Sequence, residues 1–288
     1  TVQVNQPVTF STTTTYDPAI VTPVTTTIYT GTVLVVLPAT DATQAPITVV
    51  ATSRGTPQRE PFTIPAPPTV PVDQPIAAPT ACNNQGLAWA DYRNTGGDWT
   101  PGYPSFVADT YKLAQPRHQG ITDSIGGFSF AQQGTTGTLQ IYNGVSIPSN
   151  FWVINHQAYI YPGVSGDYTF TSYNADDLVL VWFGPTAYAG WTRSNAILEQ
   201  VYAFPPQGFS GFPGEPPVSA TITLEAGVYY PIRVLAANAQ NQAEFHLLIT
   251  APDGTEFLGP QTTASPYLVQ YSCDGTSAPA FPAFGSQV

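Results

Sequence analysis

Asp176 and Asp177 are adjacent carboxylates. They stand in "YNADDLVLVW" (173–182), at the start of an unbroken apolar run, in a chain where 9% of residues are charged. On a regular β backbone neighbouring side chains point to opposite faces, and two carboxylates brought to one point repel each other. A hard divalent cation removes that repulsion, because calcium takes about six to eight oxygen ligands and accepts carboxylates, amide oxygens and main-chain carbonyls alike. "AANAQNQAEF" (236–245) supplies such amides, with Asn238, Gln240, Asn241 and Gln242 between two strand-like runs. Most such pairs are solvated turn aspartates; a calcium site is the other reading, and the amide loop adds modestly to it.

Other chemistry finds little support. Glycoside hydrolysis needs two carboxylates about 5 to 9 Å apart, one of them held protonated. Asp176 can be paired on paper with Glu199 or Glu225, but no motif marks such a pair, and two aspartates sharing a cation both stay ionised. His118, His156 and His246 are scattered, without the spacing of a metal-binding pair. His246 alternates with Phe245, Leu247 and Ile249 and reads as a partly exposed structural histidine. The sequence has no nucleophile elbow, phosphate loop or dinucleotide fingerprint. An enzyme is not expected.

The formal net charge is −11, from 18 acidic and 7 basic residues, with no Lys/Arg cluster to follow a phosphate backbone. Nucleic acid is excluded as a partner on that ground. Low charge with many hydroxyls and amides suits an extracellular protein, secreted or associated with a cell wall. Nothing approaches the ~18 apolar residues of a membrane span, so direct membrane insertion is not expected. The two cysteines, Cys82 and Cys273, bracket the most patterned part of the chain. One disulfide between them would restrict the unfolded chain strongly; the alternative is two buried thiols.

The elements that must carry these groups read as strands. With 30 Pro and 24 Gly beside abundant Thr, Val and Tyr, the composition favours many short strands joined by turns. "TLQIYNGVSI" places a turn at Asn143-Gly144, and "AEFHLLITAPDGTEF" alternates before a second turn at Asp253-Gly254. "DLVLVWF" is apolar on both faces, as in a central strand buried between two sheets. The expected fold is all-β, a two-sheet antiparallel sandwich. Residues 1–60 form a Thr-rich β segment, 61–80 a Pro-rich linker, 81–274 the main domain and 275–288 a C-terminal tail.

"GLAWADYRN" (86–94) resembles the motif after which the fungal GLEYA adhesin domain is named, with Gly86, Leu87 and Ala90 matching its letters, Ala88 in place of Glu and Trp89 in place of Tyr. "SYNADDLVLVWFGPTAYAGWTRSNA" resembles that family's central motif, and "YYPIRVLAANAQ" and "APDGTEF" its C-terminal part. The resemblance covers the chain from Cys82 to Cys273. It implies a relative of the PA14 sandwich of yeast flocculins and epithelial adhesins. There two aspartates joined by a cis peptide bind calcium with an asparagine of a second loop, and the calcium binds sugar hydroxyls.

Carried over by motif, Asp176, Asp177 and Asn238 would be side-chain ligands, with the carbonyls of Gln240 and Gln242 completing the set. The polar "QNQ" at 240–242 replaces an aromatic of the flocculin-like members, so their sugar contacts do not carry over. Tyr188, Trp191 and Asn241 are the candidate sugar contacts here, although Trp191 also reads as a core aromatic. The resulting expectation is a calcium-dependent, carbohydrate-binding fungal surface adhesin. Its expected partners are cell-surface or matrix glycans. The alternative is a structural subunit of an extracellular assembly, a homo-oligomer or filament in which the strands of residues 1–60 pair with a neighbouring molecule.

Overall fold

Phe245, Leu247 and Ile249 are wholly buried while Glu244, His246 and Leu248, which alternate with them, are half-buried, the two-residue period of a strand with one face in the core. The computed structural model describes residues 2–4, 35–37, 75–96, 100–130, 136–202, 216–240 and 242–287. The chain divides into two compact units, Thr1–Val72 and Asp73–Val288. In the first, β1 (Val2–Val4) pairs antiparallel with β2 (Val35–Leu37). The rest of the Thr-rich segment, and the expected linker as far as residue 74, lie outside the described residues.

The second unit contains β3 (Leu87–Arg93), β4 (His118–Thr122), β5 (Gly126–Phe130), β6 (Thr138–Gln140), β7 (Ser146–Pro148), β8 (Trp152–Ile160), β9 (Gly166–Tyr173), β10 (Leu178–Phe183), β11 (Leu198–Val201), β12 (Val218–Leu224), β13 (Tyr230–Asn238), β14 (Ala243–Thr250), β15 (Glu256–Leu258) and β16 (Leu268–Val269). One sheet runs β11-β10-β13-β8-β3-β4, with β16 also on β8. The other runs β12-β9-β14-β15, with β5 also on β14. Every strand pairing is antiparallel, and the core between the sheets is built from residues such as Trp89, Ile154, Phe170, Val181, Val234 and Phe245. The all-β sandwich is as expected.

Both turns take the form their residues dictate. Asn143 (φ 56°) and Gly144 (φ 73°) are successive left-handed residues, the requirement of the hairpin turn that joins β6 to β7. Gly254 (φ 85°) closes the β14–β15 hairpin, where Asp253 accepts a bond from the Thr255 N–H at 3.0 Å.

β8, β10 and β13 are buried on both faces, but a second sheet lies on only one side. The other face is covered by Tyr103, Phe106, Tyr111 and Trp191, and by the C-terminal segment. That segment is part of the fold. Gln287 accepts from Arg233 Nη1 at 3.0 Å and donates to Gln157 Oε1 at 2.7 Å, Tyr159 donates to the Pro279 carbonyl at 2.8 Å, and Ala278 is buried. Residues 76–80 also belong to this unit: the Ile76 N–H bonds to Gly163 O, the Ala78 N–H to Pro266 O, and Ala78 lies in a cluster with Tyr159 and Tyr161. Cys82 and Cys273 form a disulfide, with their Cα atoms 5.6 Å apart.

Arg233 is fully buried, and among the described residues no carboxylate bonds to it. Its guanidinium donates to Ala187 O and to the side-chain oxygens of Asn155, Gln157 and Gln287, with Trp191 4.7 Å and Phe281 5.5 Å from it. Burial pushes its pKa down to about 9, so neutral dipoles and aromatic faces carry the charge at pH 7.

Candidate functional site

Two connections cross from sheet to sheet at the same end of the sandwich. Residues 174–177 lead from β9 to β10, and residues 239–242 lead from β13 to β14. Because Leu178 pairs with Ala237, one further step along the antiparallel register brings Asp177 opposite Asn238. The carboxylates and the amide loop, distant in sequence, are brought together by that rung.

Their surroundings hold them firmly. Asp177 accepts from the Ala239 N–H, and its own carbonyl accepts from the Tyr202 N–H at 2.8 Å. Asp176 donates its N–H to Glu244 O at 3.2 Å. Buried Gln200 braces the approach, accepting from Ser172 Oγ at 2.7 Å and from the Ala175 N–H at 3.2 Å. On the other loop, Asn238 Nδ2 donates to Ser149 O at 3.0 Å, and Asn94 Nδ2 donates to the Asn238 carbonyl at 3.0 Å. All described peptide bonds are trans, so the cis link expected between Asp176 and Asp177 is absent; main-chain bonds fix the backbone on both sides of it.

The electrostatics of the pair are set by burial and by like charges close together. Burial, then the neighbouring charges of Asp177 and Glu244, push the Asp176 pKa up to about 8. Asn238 is completely buried and its Oδ1 accepts no hydrogen bond. A buried acceptor without a donor is costly, and a metal ion satisfies it as well as an N–H does. Among the described residues no three carboxylates, histidines or cysteines converge on one point. The donor set available is therefore a carboxylate pair filled out by amide and main-chain oxygens, which is calcium chemistry rather than zinc chemistry.

The remaining expected site residues divide. Gln240, half-buried, and Gln242, buried, lie in the 239–242 connection; Asn241 lies outside the described residues. Trp191 is 0% exposed, set edge-to-face on Trp182 with Arg233 over its ring, so no sugar ring can reach it. Tyr188 donates its hydroxyl to Ala280 O at 3.0 Å and packs on Phe281, which ties it to the C-terminal segment. It also follows the far end of β10, whose six residues span about 17 Å at roughly 3.3 Å each. Neither aromatic joins the carboxylates.

Sequence reading missed Asn94, Ser149 and Glu244. Asn94 closes the "GLAWADYRN" motif and Glu244 ends "QNQAE", so both were in view. What was missing was the pairing that brings them beside Asp176 and Asn238. Glu244 Oε1 accepts from Asn174 Nδ2 at 3.3 Å and faces His246 Nε2 at 2.9 Å, while the His246 ring stacks on Tyr173.

Residues 152–251 match the family model described as the GLEYA domain, a stretch that includes the Asp176–Asp177 pair and Asn238. The chain is 26% identical over 125 residues to flocculation protein FLO1 of Saccharomyces cerevisiae, covering 41% of this chain and 8% of that protein. Among solved structures, the epithelial adhesin 6 A domain of Candida glabrata in complex with Galβ1-3GlcNAc is 21% identical with a TM-score of 0.48, covering 74% of this chain and 99% of that one. A subtype-switched epithelial adhesin 9 A domain of the same organism, in complex with beta-lactose, is 20% identical with a TM-score of 0.46, covering 67% and 95%.

Proposed function

We propose that this chain is a carbohydrate-binding adhesin domain acting outside the cell, and that its binding depends on calcium held by Asp176, Asp177 and Asn238. The orphaned, fully buried Oδ1 of Asn238, the residue one rung beyond the Leu178–Ala237 pair and opposite Asp177, carries this reading. The GLEYA match and the similarity to a flocculation protein support the adhesin class.

Asp176 and Asp177 would supply the negative charge, Asn238 Oδ1 a neutral oxygen, and Gln240 and Gln242 main-chain carbonyls. Bound there, calcium would supply a centre to which vicinal hydroxyls of a glycan coordinate. The Asn94 and Ser149 bonds position the Asn238 loop, and Gln200 positions the carboxylates. The disulfide supports an oxidising, extracellular location. Among the described residues no helix is long and apolar enough to cross a membrane.

The test is a glycan array probed with the full chain in millimolar calcium and again in chelator, with Asp177→Asn as control. The expected result is signal on a defined set of glycans that chelator and the variant both abolish. Signal that survives both treatments rejects calcium dependence, and a blank array in both conditions rejects carbohydrate binding.

A further inference from the structure

β14 borders both connections that build the carboxylate site. Because His246 pairs with Tyr173 at the end of β9, the antiparallel register carries Glu244, two residues earlier, alongside the turn of residues 174–177. The Asp176 N–H bonds to Glu244 O at 3.2 Å. Gln242, whose carbonyl is one of the expected ligands, lies two residues before Glu244. A third acid thus stands where the two loops meet.

Its side chain is held on the same turn. Ala243 and Phe245 point into the core, 1% and 0% exposed, which turns Glu244 to the outer face of its sheet. There Oε1 accepts from Asn174 Nδ2 at 3.3 Å and faces His246 Nε2 at 2.9 Å, and the His246 ring stacks on Tyr173. Asn174, at φ 53°, takes the left-handed backbone that asparagine tolerates and opens the turn that presents Asp176 two residues on. The Glu244 side chain is 23% exposed, enough for salt to reach it. Its charge is felt at Asp176, whose pKa is raised first by burial, then by Asp177 and then by Glu244. A field that opposes further negative charge attracts a dication, and does so twice as strongly per unit of potential.

Among the described residues no third carboxylate converges with the pair on one point, so Glu244 acts through space. We propose that Glu244 is the third acid of this site, a non-ligating negative charge that strengthens cation binding at Asp176 and Asp177. The inference rests on the calcium reading given above.

The experiment is a calorimetric titration of calcium into the full chain and its variants, at a pH above the Asp176 value of about 8 so that both aspartates are ionised throughout. Glu244→Gln keeps an oxygen for Asn174 but removes the charge. It should bind calcium on the order of tenfold more weakly at about 0.01 M ionic strength. That gap should narrow severalfold near about 1 M, where the Debye length has shrunk to about 3 Å. Glu244→Asp, which keeps the charge on a shorter side chain, should stay within about threefold of the unaltered chain at low salt.

Equal affinity of Glu244→Gln and the unaltered chain at low salt overturns the proposal. A loss that high salt leaves undiminished overturns it too, because Glu244 is then a ligand or a structural support. So does an equal loss in Glu244→Asp, which assigns the effect to the bonds with Asn174 and His246. If Glu244→Gln fails to fold, Glu244→Ala decides by whether its loss shrinks at high salt. An unaltered chain that binds no calcium overturns the calcium reading and this inference together; every other outcome leaves that reading standing.

Discussion

Asn238 stands one rung beyond the Leu178–Ala237 pair, opposite Asp177, with its carboxamide divided between two tasks: Nδ2 bonds to Ser149 O, and Oδ1 is buried with no donor. The nitrogen bond fixes which way the amide faces. Asn238→Ala is expected to weaken calcium binding at least on the order of tenfold, measured by calorimetric titration, because it removes a ligand oxygen and the Ser149 bond together. Unchanged affinity would remove Asn238 from the ligand set.

Asn94 contacts none of the carboxylates, but its Nδ2 holds the Asn238 carbonyl at 3.0 Å and its Oδ1 accepts from Tyr111 at 3.1 Å. Loss of such a supporting group typically costs a metal site about 10- to 100-fold in affinity. Asn94→Ala should therefore lower calcium affinity while the Asn238 side chain is intact. If it lowers only the melting temperature, Asn94 serves the fold and not the site.

Asp176 and His156 tilt the acid stability of the metal-free protein in opposite directions. The Asp176 pKa rises to about 8 on folding, so its folded form holds a proton that the unfolded form has lost, and stability falls as pH rises from about 4 to 8. Burial pushes fully buried His156 down to about 4 from an unfolded value of 6.5, so its stability contribution is complete above 6.5 and is lost as pH falls toward 4. Between pH 6.5 and 8 Asp176 acts alone of the two. Denaturant titration in chelator should show stability declining there, and Asp176→Asn should flatten the decline while abolishing calcium binding. An unchanged slope in that variant would locate the titration elsewhere.

Trp191→Phe should lower stability by about 1 to 3 kcal/mol in chemical denaturation, through loss of contact with Trp182 and Arg233. Glycan binding by the folded variant should be unchanged. Reduced binding at full occupancy of folded protein would return Trp191 to the ligand site.

Gln287→Ala leaves Arg233 Nη1 with Asn155 alone and removes a donor from Gln157. Buried polar groups left short of partners cost about 1 to 3 kcal/mol, and more where one is charged. A loss of that size in the unfolding free energy is expected; an unaltered midpoint would mean that the Gln287 bonds contribute nothing to stability.

What could be read from the residues was what depends on local period and turn chemistry. Phe245, Leu247 and Ile249 announce one buried face, and Asn143-Gly144 announces its own turn. The carboxylate pair was visible because two acids at the head of an apolar run are unusual. The unexpected features are long-range. Nothing in "SAPAFPAFGSQV" has a strand's alternation, yet Gln287 and Phe281 complete the surroundings of Arg233. Tyr188 and Trp191 follow the Asp strand closely in sequence, but a strand carries its two ends apart, so nearness along the chain became distance in space. The free oxygen of Asn238 depends on a Ser149 carbonyl nearly ninety residues away, which no local pattern encodes.

The Cys82–Cys273 bond joins residues 191 positions apart across a Cα separation of 5.6 Å. In the proposed adhesin role, this bond would set the route of tension. A pull applied to the chain before Cys82 and after Cys273 passes through two sulfur atoms and bypasses the strands between them. The hydrogen-bonded ladders, and the carboxylates and amides they align, would then carry no share of that force while the disulfide is intact.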